Sequence, residues 1–354
     1  MTPFDPNAAA APGSGAYGLT QTPDEARVVL LPVPFEATTS YGGGTSRGPA
    51  AILEASRQVD LFDLETKRPY EAGIAWLPER PEIARWNDEA VAAARPIIEA
   101  GGAAGWPDLA SALARVDALC EKTHALVREE AAAWIRRGKL VGTVGGDHSV
   151  AFGAIAAAAE AHPGMGILHL DAHADLRTAY EGFAWSHASI MENVTRRLSA
   201  VAKLVQVGLR DLCEEEQARI DDSRGRIVAF HDARLAEEEL SGTPFSQLAS
   251  RVAAELPHEV YLSFDIDGLD PSLCPNTGTP VPGGLSFREV SFLLRAVARA
   301  GKRIVGFDLT EVSPGPGKAE GGSREASEWD ANVGARLLYK MIGWALASQS
   351  ISNE

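Results

Sequence analysis

Short apolar runs alternating with longer amphipathic stretches set the pattern of this 354-residue chain. The runs at residues 27–34, 139–144, 166–170, 203–207, 226–230, 259–264 and 303–307 are too short for helices, and each is largely Val, Leu, Ile or Phe. Such runs read as buried strands. Between them, residues 50–56, 109–137, 150–161 and the C-terminal stretch follow a helical period, and the second of these stops at Gly138, where a helix would end. Strand and helix in regular alternation predict an α/β class with a mostly parallel sheet covered on both faces. Ligands of such a sheet sit beyond the carboxyl ends of its strands. Residues 60–107, with Trp76, Trp86 and several prolines, show no clear period and read as an elaboration of the same unit. Residues 1–26 are rich in Pro, Ala and Gly and predict a flexible arm outside the core, which leaves 27–354 as one domain.

Composition narrows the function classes. The chain carries 33 Lys and Arg against 48 Asp and Glu, a formal charge of −15, which opposes nucleic acid as a partner and favours a cationic ligand. No apolar window approaches the roughly 18 residues of a membrane span, and the first residues lack the basic and apolar regions of a secretory signal. The expectation is a soluble, cytoplasmic protein with no membrane partner. Cys120, Cys213 and Cys274 are odd in number and widely spaced, which argues against disulfides and thiolate metal sites.

The chemistry gathers where three predicted strands end. The run 166–170 drives straight into Asp171, His173 and Asp175; residues two apart on an extended chain point the same way, so these three can aim at one spot. Gly145-Gly-Asp-His-Ser149 places His148 in a tight turn, and Ser263-Phe-Asp-Ile-Asp-Gly-Leu-Asp-Pro271 places Asp265 and Asp267 two apart. Singly, the first motif also fits a plain turn and the last a solvated strand end. Together they offer two imidazoles and four carboxylates, too many acids for one divalent ion and suited to two ions that share carboxylates. His169 shares the face of Asp171 and reads as core or as support for it. His124, His162, His231 and His258 read as surface histidines.

The trio GGDHS, DAHAD and SFDIDGLDP resembles the ureohydrolases, the arginase and agmatinase family, over roughly residue 28 to the C-terminal helix. The resemblance implies a three-layer α/β/α sandwich and a homotrimer or homohexamer. It further implies two divalent ions per chain, Mn2+ or Ni2+, one on His148, Asp171, Asp175 and Asp265, the other on Asp171, His173, Asp265 and Asp267. A small cationic guanidino compound would be cleaved to release urea. His187 matches the family's loop histidine that protonates the leaving amine, Glu311 matches the glutamate that holds the guanidinium, and Asp175 would also orient the attacking water.

Substrate choice turns on what is missing. The family's arginases follow the DxHxD motif with an Asn, Ser and Thr-rich loop that holds a carboxylate, whereas this chain continues Leu176-Arg-Thr-Ala-Tyr-Glu-Gly-Phe-Ala-Trp-Ser186. Trp329, near the start of the last helix, resembles a bulky residue of the family's guanidine hydrolases, which also share the Thr38-Thr-Ser-Tyr-Gly42 type of loop. The expectation is a short pocket closed by Trp329 and free guanidine as substrate, giving urea and ammonia. Agmatine, cleaved to putrescine and urea, is the alternative, followed by arginine or another guanidino acid.

Overall fold

Every apolar run singled out above is a strand. A computed structural model describes residues 4–11, 13–315 and 324–351. In chain order its elements are β1 (Val28–Val33), α1 (Gly48–Ser56), β2 (Ile74–Trp76), α2 (Pro81–Glu99), α3 (Ala110–Arg136), β3 (Leu140–Gly145), α4 (Ala151–Ala161), β4 (Gly166–Leu170), α5 (Ile190–Arg197) and β5 (Lys203–Leu209). They continue with α6 (Glu214–Asp221), β6 (Ile227–His231), α7 (Asp232–Leu240), α8 (Phe245–Glu255), β7 (Glu259–Asp265), α9 (Phe287–Arg299), β8 (Arg303–Thr310) and α10 (Arg324–Ile351). The strands form one sheet in the order β2-β1-β3-β8-β7-β4-β5-β6, and every pairing is parallel.

Alternate strand residues serve opposite faces. Val28 and Leu30 belong to one buried apolar cluster with residues of α1, α8, α9 and α10, while Val29 and Leu31 belong to a second with residues of α2, α3, α4 and α5. Two apolar cores therefore lie either side of one sheet, which is the expected three-layer α/β/α sandwich. The chain lays β2 and β3 on either side of β1, then jumps to β4 on the far side of β7 and β8. That jump opens a crevice at the carboxyl ends of the four central strands.

Two elements escaped the sequence. Strand β2 is three residues long at the sheet edge, below any periodic signal. Of the prolines that made residues 81–99 look irregular, Pro81 sits in the first turn, where its missing N–H costs nothing, and Pro96 lies inside the helix three residues before its end.

Two expectations are corrected. The segment around Tyr17 is not outside the core: Tyr17 is buried, its hydroxyl donates to Ala335 O at 2.9 Å, and its ring lies 4.7 Å from that of Tyr339. His124 is not at the surface; it is buried against the rings of Phe152 and Trp185, at 5.5 and 4.7 Å. Among the described residues no helix is long and apolar enough to cross a membrane.

Candidate metal centre

Four neighbouring strands deliver the candidate residues. His148 follows β3, Glu311 follows β8, Asp265 ends β7 and Asp171 follows β4. The turns that present them leave no room for side chains at two glycines. A Cβ on Gly146 would lie 2.0 Å from Phe35 O, and one on Gly268 would lie 2.8 Å from Asp171 N. Hence the second glycine of GGDHS and the glycine of DIDG.

The expected extension of strand β4 through Asp175 does not occur. The strand stops at Leu170, and Asp175 takes a left-handed backbone, φ 55°. Likewise β7 stops at Asp265, whose side chain accepts the amide of Asp267 at 2.9 Å and starts a tight turn. The candidate ligands converge through these bends rather than through strand alternation. Glu311 also has positive φ, 60°. For non-glycine residues such backbone is costly and persists where surrounding contacts enforce it.

The resulting distances define two groups. His148 Nδ1 lies 3.1 Å from Asp171 Oδ2 and 3.3 Å from both Asp175 Oδ2 and Asp265 Oδ2. His173 Nδ1 lies 3.0 Å from Asp267 Oδ2 and 3.5 Å from Asp171 Oδ1. Asp171 thus faces both groups, one oxygen to each. Ligand atoms about 2.1 Å from a shared ion lie roughly 3 to 3.5 Å apart, so both groups have the spacing of a divalent site. Asp265 joins the first group by its Oδ2, while its Oδ1 is held by the Asp267 amide.

Charge makes the same point. Apart from His173, all these candidate ligands are buried. Burial and the Asp171 charge push Asp175 up to about 7, and burial with Asp267 and Asp171 pushes Asp265 well above the usual carboxylate range. Against the opposing effect of burial, Asp267 and Asp171 drive His173 up to about 12. Carboxylates this crowded bind protons unless cations take their place. The donor set, two imidazoles with four carboxylates, fits two hard or borderline divalent ions.

A cavity of about 160 Å³ lies over the cluster. His148, His173, Asp175, Asp265, Glu311 and His187 line it, together with Ser40, Arg177, Tyr180, Asp211, Glu216 and Thr279. Glu311 is buried, with Oε1 accepting the amide of His148 at 2.9 Å; burial and the charges of Asp265 and Asp147 raise its carboxyl well above the ordinary range. His187 is held from one side, its amide donating to Thr38 Oγ1 at 3.0 Å and its Nδ1 lying 3.3 Å from the same oxygen. Burial, then His173 and His148, lowers His187 to about 4. Trp329 is not part of the lining. Its indole donates to Ser272 O at 2.9 Å and the residue is 45% exposed. Residue 323, where the stretch leading to Trp329 begins, lies outside the described residues.

Several supporting groups were not read from the sequence. Ser263 Oγ sits 2.9 Å from His148 Nε2 and donates to Asp308 Oδ1 at 3.0 Å, backing His148 from behind. Asp211 and Glu216 add two carboxylates at the cavity wall, and Glu216 lies 3.6 Å from Arg177. Ser263 and Asp308 sit on strands two residues before Asp265 and three before Glu311, so strand register was the signal that could have found them.

Comparison with known proteins agrees with this geometry. Residues 26–343 match the sequence model described as the Arginase family. The chain is 39% identical over 330 residues to an N(1)-aminopropylagmatine ureohydrolase of Thermus thermophilus, covering 92% of this chain and 93% of that protein. It is 29% identical over 338 residues to an agmatinase of Sodalis glossinidius, covering 93% and 92%. The crystal structure of an agmatine ureohydrolase of Thermoplasma volcanium superposes with a TM-score of 0.68 at 22% identity, over 93% of each chain, and so shares the fold.

Proposed function

The chain belongs to the arginase family, and from that premise we propose that it hydrolyses a guanidino compound carrying an alkylamine tail, of the agmatine or aminopropylagmatine type, releasing urea. The observation that carries this reading is the pair of ligand groups meeting at Asp171 beneath a small cavity walled by Asp211 and Glu216. Whole-length likeness to an aminopropylagmatine ureohydrolase supports the tail.

His148, Asp171, Asp175 and Asp265 would hold one ion, and Asp171, His173, Asp265 and Asp267 the other, with Asp265 as the second bridge. Two such ions, manganese or nickel, would supply Lewis acidity and lower the pKa of a water. The remaining work falls to side chains. Glu311 offers both carboxylate oxygens to the planar donors of the guanidinium, a charge-assisted fork. Asp175 accepts a hydrogen bond from the attacking water and so orients it. His187, with Nδ1 turned to Thr38, presents Nε2 for proton delivery to the leaving nitrogen.

Free guanidine is the second reading. It is favoured by the lack of an arginase-type carboxylate loop after Asp175 and by the small cavity. Urea release measured with guanidine, agmatine, aminopropylagmatine, 4-guanidinobutyrate and arginine tests both readings. The proposal expects the highest kcat/KM with one of the two amines, and a higher value for guanidine would reverse the choice.

A further inference from the structure

His169 is fully buried between the metal centre and Gln206. Its Nε2 lies 2.8 Å from Asp171 Oδ2, and within the same 4.8 Å cluster as the ligand atoms of His148, Asp171 and Asp175. Distance alone would therefore allow it to be a seventh ligand. The hydrogen bonds on its other side decide otherwise. Gln206 Nε2 lies 2.8 Å from Ala174 O and 2.9 Å from His169 Nδ1. A backbone carbonyl can only accept, so the Gln206 atom facing it is the amide nitrogen and not the oxygen. That nitrogen can only donate, and His169 Nδ1 must present its lone pair. The ring proton then sits on Nε2 and points at Asp171 Oδ2.

We infer that His169 is a positioning residue, oriented by Gln206, which donates Nε2–H to Asp171 Oδ2 and thereby fixes how the shared carboxylate divides its oxygens between the two ions. Opposite it, Asp171 Oδ1 accepts the amide of His173 at 2.6 Å. Each oxygen is thus pinned by one N–H, and the carboxylate plane cannot rotate toward one group at the expense of the other. Neutral histidine with its proton on Nε2 has no lone pair there for a metal, so the stoichiometry stays at two ions. This inference rests on Asp171 being the shared ligand.

The test uses zinc as the probe on the full chain. Dissociation constants and stoichiometry would be measured by chelator competition for wild type, His169→Phe, His169→Gln and Gln206→Leu. A glutamine Nε2 can reach the place of a histidine Nε2, so His169→Gln should keep two ions within about threefold of wild-type affinity. His169→Phe should weaken binding about tenfold or more, the usual cost of losing a group that orients a metal ligand. Gln206→Leu should fall between them. Imidazole 15N shifts of the zinc-loaded wild-type protein give a readout that needs no variant to fold: His169 should show a protonated Nε2 and an unprotonated Nδ1. Unchanged zinc affinity in a folded His169→Phe, or an unprotonated Nε2, would overturn the inference while leaving the two-ion reading intact. A wild-type protein that binds no zinc would overturn both.

Discussion

Glu311 and His148 are tied across the ends of β8 and β3, the carboxylate Oε1 accepting the His148 amide at 2.9 Å. One carboxylate therefore serves the backbone of a ligand turn and faces the cavity as well. Glu311→Gln keeps an oxygen for the amide and loses the charge, whereas Glu311→Ala loses both. The first variant should fold and retain its ions while kcat/KM falls about 10- to 100-fold, the value of a charge-assisted hydrogen bond of roughly 1.5–3 kcal/mol. Kinetics with metal analysis of the same samples check this, and Glu311→Ala should lose metal as well as rate.

Asp265→Ala removes an oxygen 3.3 Å from His148 Nδ1 and the acceptor for the Asp267 amide. Both groups should suffer, the first by losing a ligand and the second because Asp267 is no longer held. Elemental analysis should give about two ions per chain in the wild type and fewer than one in the variant. A full pair of ions in Asp265→Ala would remove it from the ligand set.

His187→Ala separates chemistry from binding. Its ring touches none of the ligand atoms at hydrogen-bonding distance, and its amide stays on Thr38 whatever the side chain. Metal content should be unchanged while kcat falls about 100- to 10,000-fold, the range for loss of a proton-transfer group. Added imidazole should restore part of the rate.

The strands and their chemistry were legible because burial on both faces writes continuous apolar runs, and because the candidate ligands cluster where those runs end. Asp171, His173, Asp175, Asp265, Asp267 and His148 converge as the motifs implied, yet the means differed. Left-handed Asp175 and the turn after Asp265 do the aiming, and no period-two argument could foresee a positive φ at an aspartate. His124 was misread because nothing local marks a polar residue as buried; its burial comes from Phe152 and Trp185, distant in sequence. Resemblance and the position of an indole near the start of the last helix put Trp329 at the pocket, whereas its indole donates to Ser272 O.

Burial of His124 has a pH signature. Desolvation against the two rings, with Arg197 adding to it, lowers its pKa from an ordinary 6.5 to about 3. The unfolded chain thus binds a proton below about 6.5 that the folded chain refuses until about 3. Stability is therefore fully present above 6.5 and is lost as pH falls through that window, at up to about 1.4 kcal/mol per pH unit. In His124→Phe this slope should vanish, so the difference in unfolding free energy between variant and wild type should change between pH 6.5 and 4 and stay flat above 7. Denaturant titrations at four pH values check it. A constant difference across that range would show that the folded protein accepts the proton.

Arg177 is the one Lys or Arg side chain among the described residues that line the cavity. Its Nε lies 3.6 Å from Glu216 Oε2 and its guanidinium is 5.3 Å from the centre of the Tyr180 ring. Glu216 is anchored independently, its Oε1 accepting the Leu176 amide and its Oε2 the Cys213 amide, each at 3.0 Å. Removing the arginine should therefore leave Glu216 in place, with Asp211 beside it, as uncompensated negative charge at the cavity wall. A substrate with an amine beyond its guanidinium gains from that charge, and a bare guanidine gains less because its only charge sits at Glu311. Arg177 is partly exposed, so the interaction at stake is that of a screened pair, roughly 0.5–1 kcal/mol. Arg177→Ala should raise the ratio of kcat/KM for agmatine over guanidine about two- to fivefold, with more of the change in KM than in kcat. Raising the salt concentration should shrink that gain. If the ratio falls instead, Arg177 contacts the substrate tail directly and the amine is read elsewhere in the cavity.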